Sequence, residues 1–331
     1  MSQSDAERNA QSTAESAAGW GELPTERRHP GTLDLDSLPV ERVVELVLEE
    51  DRRGLDAVLA LRVEIARVAD WVAETLAGGG DVVLAGAGTS GRLAVLEAAE
   101  CPPTFGTEPQ RIRAALAGGE EAVFRAREGA EDRQDEGRRV GDGLRTGDLC
   151  IGLSASSVTP FTRAALDGAR ARGARTVLLT CAAAGRDLDA TATLVIALDT
   201  GPEVLAGSTR LKAGSATKAA LNAITTAAMV RLGKVYQNLM VDLRPGSAKL
   251  RDRSLRIISA AAGVPLDQAR RLHEEAGGEV KTAIVMALAR CDAELARRRL
   301  ADAGGHVRAA LEAAPPRAPK VPVPGRTGEA L

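Results

Sequence analysis

Aromatic residues are nearly absent from this 331-residue chain, which has three Phe, two Trp and one Tyr. That excludes an aromatic-rich sandwich, and abundant Ala with 34 Gly instead favours helices packed closely through small side chains. Cysteine is scarce as well. Cys101, Cys150, Cys181 and Cys291 are widely separated and form neither a pair motif nor a metal-ligand cluster, so a reduced, cytoplasmic protein is the natural reading. His29, His273 and His306 lie far apart and give no basis for a zinc site. An excess of one charge is also missing. Lys and Arg total 43 against 45 Asp and Glu, intermixed, so no overall field directs the chain to nucleic acid or to a membrane. No uncharged apolar run is long enough to cross a bilayer, and no basic stretch followed by an apolar run opens the chain.

The length exceeds the usual size of one compact domain and suggests a main body with a smaller addition. Residues 1–22 are polar and read as a disordered lead-in, and residues 312–331 as a disordered, Pro-rich tail. The stretch from Val40 to Gly80 repeats apolar positions at helical spacing, with an interruption near Gly54 and a stop at Gly78, Gly79 and Gly80, which predicts two helices. "DVVLAGAG", "RIRAALAG", "LCIGLSAS", "RTVLLTCA" and "ATLVIALD" are short apolar runs separated mostly by helix-compatible segments. Runs that are near-continuous rather than alternating predict a parallel sheet flanked by helices on both faces, an α/β fold. Lys212 to Met240 reads as one long helix or a broken pair, and Leu255 to Leu311 as several short helices. The expected division is an α/β domain with an N-terminal helical arm over residues 23–250 and a small helical domain over residues 251–311.

Two turns carry the chemistry. In "GAGTSGR" the glycines Gly86, Gly88 and Gly91 let the main chain approach a ligand, and Thr89 and Ser90 add hydroxyl donors. Amides at the start of the next helix could hold a phosphomonoester, although the loop lacks the lysine ending of a nucleotide P-loop and the spacing of a dinucleotide fingerprint. A purely structural turn is the alternative. In "SASSVTP" the hydroxyls of Ser154, Ser156, Ser157 and Thr159 follow a strand-like run, where ligands of open α/β sheets collect. The competing reading is a helix cap from Ser157 or Thr159 ahead of Pro160.

Glu100 is expected to follow the helix that starts after "GAGTSGR" and to precede "CPP", where Pro102 and Pro103 restrict the chain, and Glu131 lies in the acidic "REGAEDRQDEG". Either glutamate alone reads as a solvated surface group before it reads as catalytic. As a pair, one could donate a proton while the other removes one. "GSTRLKAGSATK" offers Ser208 and Lys212 near a helix start, either to neutralise an anionic substrate or to clothe an exposed face.

Taken together, "TERRHPGTLDLD", "GAGTSGRLAVLEAAECPPTFG", "AGGEEAVFRAREGAED", "GPEVLAGSTRLKAGSATK" and "VRLGKVYQNLMVDL" resemble the N-acetylmuramic acid 6-phosphate etherases, with their sugar-isomerase-type phosphosugar-binding domain. The resemblance runs from about Thr25 to Leu311. It implies cleavage of the D-lactyl ether of N-acetylmuramic acid 6-phosphate to N-acetylglucosamine 6-phosphate and D-lactate, by elimination and then addition of water, without a redox cofactor. It implies Glu100 as the acid that protonates departing lactate and Glu131 as the base at carbon 2. Gly88, Thr89, Ser90, Gly91, Ser154, Ser156, Ser157 and Thr159 are the implied phosphate site, with Ser208 and Lys212 placing the sugar. A homodimer that shares its active site is implied as well.

The chain departs from the family pattern in four places. Val158 stands where an Arg is common, and "CAAAG", including Ala182, replaces a Cys-Asn-Pro-Gly turn. His29 replaces an Asn, and "LRPGSAKL", including Arg244, replaces an Ala-Thr-Asn-Glu-Lys-Leu ending. Other readings therefore stay open: a divergent phosphosugar lyase or isomerase with another substrate, or a regulator that binds phosphosugar without turnover.

Overall fold

The computed structural model describes residue 21 and residues 23–182, 192–243 and 248–312. The rest of the expected lead-in, the tail from residue 313, and Ala183, Ala184 and Arg244 lie outside the described residues. All five apolar runs are strands: β1 (Val82–Gly86), β2 (Ile112–Leu116), β3 (Leu149–Ser154), β4 (Arg175–Thr180) and β5 (Leu194–Ala197). They form one sheet in the order β2-β1-β3-β4-β5, parallel throughout. Their near-continuous apolar character has a direct cause. Val82 and Leu84 enter one buried layer while Val83 and Ala85 enter the other, so neither face of β1 tolerates polar residues.

Helices cover both faces. α1 (Val40–Ala60), α2 (Arg62–Ala77), α3 (Gly88–Phe105) and α7 (Lys212–Arg231) lie on the Val82 and Leu84 side. The short α4 (Glu121–Phe124) precedes α5 (Gln134–Asp142), which packs with α6 (Pro160–Ala171) on the opposite face. The predicted break at Gly54 is not there; α1 continues through it and the chain breaks at Leu61. Gly54 serves close packing instead. A Cβ on it would stand 2.9 Å from Lys212 Cγ and 3.5 Å from Ala216 Cβ. From β1 the chain moves out to β2 and then returns across β1 to β3, so the gap between β1 and β3 is the topological switch point.

The segment from Lys212 to Met240 is one long helix followed by an antiparallel hairpin, β6 (Val235–Tyr236) and β7 (Leu239–Met240). Beyond it come α8 (Ala248–Ala262), α9 (Leu266–Glu275), α10 (Val280–Ala289), α11 (Ala293–Asp302) and α12 (Val307–Glu312), around an apolar cluster of their own. The pair α9–α10 recurs as α11–α12. Ala269, Val280 and Ala283 are buried at the positions that Ala296, Val307 and Ala310 occupy in the second unit. Gly277 and Gly278 match Gly304 and Gly305, all four with positive φ, a conformation glycine adopts without a Cβ penalty. The closing bond from Gly278 N–H to His273 O, 2.8 Å, recurs from Gly305 N–H to Leu300 O at 2.7 Å.

Candidate active site

The two hydroxyl-rich turns flank the switch point. β1 ends at Gly86 and α3 starts at Gly88 on one face; β3 ends at Ser154 and α6 starts at Pro160 on the other. Neither helix carries a side-chain cap. Ala87 precedes α3, Thr159 precedes α6, and neither side chain bonds to the turn that follows. The first helical bond of α3 runs from Gly91 N–H to Ala87 O at 3.2 Å, so the N–H groups of Gly88, Thr89 and Ser90 have no acceptor among the described residues. Free amides at the positive ends of helix dipoles attract an anion. The glycines divide the work. Gly91 lets α3 approach the sheet, since a Cβ there would run into the Leu116 side chain and stand 2.5 Å from Gly86 O, whereas Gly88 lies in open space with φ +53°.

In the second turn, Ser154 is buried and its Oγ lies 2.8 Å from Thr159 Oγ1. Thr159 is thus occupied with Ser154 rather than capping α6. Ser156 Oγ accepts a long bond from Val158 N–H at 3.4 Å. Ser157 is the residue at odds with its surroundings. It is fully buried, has φ +66°, and its Oγ has no partner among the described residues. A left-handed non-glycine residue costs about 1–2 kcal/mol, and an unpartnered buried hydroxyl adds about 1–3 kcal/mol. Costs of this kind concentrated on one residue make Ser157 a candidate functional position.

Ser208 is half-buried in the turn before α7. Lys212 opens that helix, 3% exposed, with Nζ 2.5 Å from Glu50 Oε2 and 2.8 Å from Pro202 O. Its ammonium therefore faces α1 within the chain. Glu203, fully buried, is the actual cap of α7, accepting from Lys212 N–H at 3.1 Å and Ala213 N–H at 2.9 Å. Burial pushes the Glu203 carboxyl above its ordinary range, against the opposing pull of those two amides. Burial also pushes Glu50 upward, but the hydrogen bond and charge of Lys212, with Arg53 and His29 beside it, outweigh burial and hold Glu50 below the usual carboxylate range. His29 Nε2 lies 3.3 Å from Glu50, while its Nδ1 accepts from Gly31 N–H at 3.1 Å. Glu50, Glu203 and the His29 contact are absent from the sequence reading. Only Gly54, one turn beyond Glu50, signals that α1 is pressed against another element.

Glu131 is exposed on a 3-10 turn, Ala130–Asp132, held by buried Ala130 after Gly129 at φ +68°. Because α5 then carries the chain back to the start of β3, this turn lies at the same end of the sheet as the two loops. Glu100 does not follow the helix, as the sequence reading has it. It lies inside α3, which continues through Pro102 and Pro103 to Phe105 and ends at Gly106 with φ +65°. Proline's fixed φ suits a helix, and the ladder gives up two bonds instead of breaking. Glu100 is exposed, and the 12 residues separating it from Gly88 put it about 18 Å along the helix. One chain thus gathers the loops and Glu131 at one end of the sheet and carries Glu100 toward the other. Cys101, next to Glu100, faces inward, and burial together with the charge of Glu97 pushes its thiol up to about 12.

Among the described residues, no group of three or more His, Cys, Asp or Glu could hold a metal ion, and no helix is long and apolar enough to cross a membrane. A parallel α/β sheet with uncapped, hydroxyl-rich loops at its switch point defines a sugar-isomerase-type module. Consistent with that class, residues 64–170 match the family model of the glucokinase regulatory protein N-terminal SIS domain. Far more of the chain aligns with proteins named N-acetylmuramic acid 6-phosphate etherase. The one from Rubrobacter xylanophilus is 48% identical over 270 residues, covering 81% of this chain and 89% of that protein. Those from Cutibacterium acnes and Salmonella choleraesuis are 46% and 45% identical, covering 80% and 82% of this chain and 87% and 92% of their own. The chain belongs to the N-acetylmuramic acid 6-phosphate etherase family.

Proposed function

We propose that this protein is a carbon–oxygen lyase that converts N-acetylmuramic acid 6-phosphate to N-acetylglucosamine 6-phosphate and D-lactate. The observation that carries the reading is family membership over four fifths of the chain, with both proposed catalytic glutamates present. Residues 23–250 form the catalytic body in this reading, and residues 251–311 a small helical domain. The phosphate binds at Gly88, Thr89, Ser90 and Gly91, bracketed by Ser154, Ser156, Ser157 and Thr159. Ser208 lies at the sugar, and Lys212 serves it through the turn it anchors.

In the opened sugar, the aldehyde at carbon 1 acidifies the proton on carbon 2. Glu131 takes that proton, the electron pair forms a carbon 2–carbon 3 double bond, and the carbon 3–oxygen bond breaks as Glu100 protonates the departing lactate. Water then adds at carbon 3 and a proton returns to carbon 2. The sum is hydrolysis with no net transfer of electrons, so no redox cofactor takes part.

The geometry favours a site shared between two subunits. The ether oxygen on carbon 3, where Glu100 acts, is six bonds from the phosphorus, about 7 Å when extended, and a glutamate side chain adds about 5 Å. Together these fall short of the roughly 18 Å between Gly88 and Glu100 in one chain. Glu100 therefore serves the crevice of a partner copy. Val40, Val44, Leu48, Leu55 and Leu59 form an exposed apolar stripe along α1, and Leu96 is exposed one turn before Glu100. A second copy covers surfaces of this kind.

Incubation with N-acetylmuramic acid 6-phosphate should release D-lactate, and Glu100→Gln or Glu131→Gln should lower the rate about 100-fold or more. In heavy-oxygen water the label should enter the carbon 3 hydroxyl rather than lactate. Folded protein that yields neither product refutes the reading. Tight phosphosugar binding without turnover would favour a regulator, the class named in the matching SIS model.

A further inference from the structure

The turn that carries Glu100 is the least supported stretch of α3. Pro102 and Pro103 lie within the helix and have no N–H to give, so the carbonyls of Ala98 and Ala99, four residues earlier, lose their ladder donors. Glu100 lies between those carbonyls and the prolines and projects outward with no bond of its own among the described residues. Side chains supply the missing constraint. Glu97 is 4% exposed, and it receives Lys218 Nζ at Oε2, 2.7 Å, and Thr225 Oγ1 at Oε1, 2.5 Å. Lys218 is itself steadied by Asn222 Oδ1 at 2.5 Å. Lys218, Asn222 and Thr225 are spaced four and three residues apart, so they present one face of α7 to α3. The Thr225 hydroxyl has a single proton and lies 3.1 Å from Leu221 O, so the nearer carboxylate takes it.

Burying a carboxylate is costly, and an apolar side chain could pack α3 on α7 without that cost. What the carboxylate adds is direction. Two bonds from two points on α7 to the two oxygens of one carboxylate fix both the rotation and the axial setting of α3, one turn before Glu100. We propose that Glu97, held by Lys218 and Thr225, is a positioning residue for Glu100, acting through the helix and not on substrate. The inference rests on the reading of Glu100 as the acid that protonates lactate.

The test compares full-length wild type, Glu97→Gln, Thr225→Val and Thr225→Ser by steady-state D-lactate release and by amide hydrogen exchange. Glu97→Gln and Thr225→Val should lower kcat about 10- to 100-fold, the scale expected when a reacting group is misplaced by an ångström, and leave KM within about two-fold. Exchange should quicken over residues 96–106 and stay unchanged in β1 and β3, and Thr225→Ser should restore wild-type values. Unaltered kcat in both variants, a change confined to KM, or quickened exchange throughout the sheet would overturn the assignment. If wild type releases no lactate, the proposed function falls on its own, and exchange alone then judges the tether. Local quickening sustains it, and unchanged or global exchange rejects it.

Discussion

Replacing Lys212 with Met should destabilise the chain far more than an ordinary lysine substitution, because its partner is buried with it. Lys212 is 3% exposed and Glu50 4%, and removing one member of such a pair costs about 3–5 kcal/mol. The two single variants need not cost the same. Lys212→Met leaves Glu50 with Arg53 at 2.5 Å and His29 at 3.3 Å, so its loss should sit near the lower bound. Glu50→Leu leaves a buried ammonium with Pro202 O as its remaining acceptor, and should sit near the upper bound. The double variant, with neither charge left, should lose no more than the milder single. Urea unfolding followed by far-UV circular dichroism at fixed protomer concentration measures all three. Losses that simply add, within about 0.5 kcal/mol, would refute coupling between the two groups. The acid side of the stability profile gives a second check. A carboxyl held below its ordinary value of 4.5 contributes stability that is present above that value and lost as pH falls through the folded one. That component should shrink in Lys212→Met.

Glu203→Gln should cost about 1–3 kcal/mol, because an amide nitrogen would face one of the two N–H groups the carboxylate now receives. Its folded pKa lies above 4.5, so its titration contributes stability present below that value and lost as pH rises through the folded one; the gap from wild type should narrow with rising pH in urea melts. Ser157→Gly should stabilise the unliganded protein by about 1 kcal/mol through relief of φ +66°, yet weaken phosphosugar binding by the roughly 1–3 kcal/mol of a lost buried donor, read by calorimetry. Equal or tighter binding in that variant would place Oγ away from the ligand. Gly91→Ala should cost about 1–3 kcal/mol by overpacking against Leu116 and Gly86, while Gly88→Ala, in open space, should lose only the roughly 1–2 kcal/mol of its left-handed backbone. Thermal melts showing Gly88 the costlier of the two would reverse those roles.

The central strands were readable because burial on both faces keeps β1 apolar from end to end and β3 apolar up to Ser154, while β2 at the sheet edge still carries an exposed Arg113. Their order was not, since the same five runs can be wound several ways. Both loops were visible as glycine and hydroxyl clusters, but the sequence could not decide between a cap and an open amide site at Thr159. The Ser154–Thr159 bond removes the cap reading at Thr159 by occupying the side chain that would have capped. Pro102 and Pro103 misled the reading of Glu100, because proline's bias against a preceding helical residue is a tendency that tertiary packing can override. The repeated "AGG" in α9–α10 and α11–α12 was legible in the sequence but emerges as a duplication only when the matching bonds and buried positions are seen together.

What escaped the sequence altogether is polar and long-range. Glu50 meets Lys212 across 162 positions, Glu97 meets Lys218 across 121, and Glu97 meets Thr225 across 128. A buried ion pair leaves no periodic trace, because each member looks locally like one more charge on an amphipathic helix. Yet all of these pairs join α7 to α1 or α3, the helices that pack against it. The Glu50 pair fixes α1 to the turn holding Ser208, and the Glu97 pair fixes α3 where its own ladder is broken. Apolar attraction between α7 and the helices α1 and α3 is non-directional, whereas charge-assisted hydrogen bonds fix direction. The close, small-residue packing seen at Gly54 allows the approach, and the buried charges set the register in which the loops and Glu100 are presented.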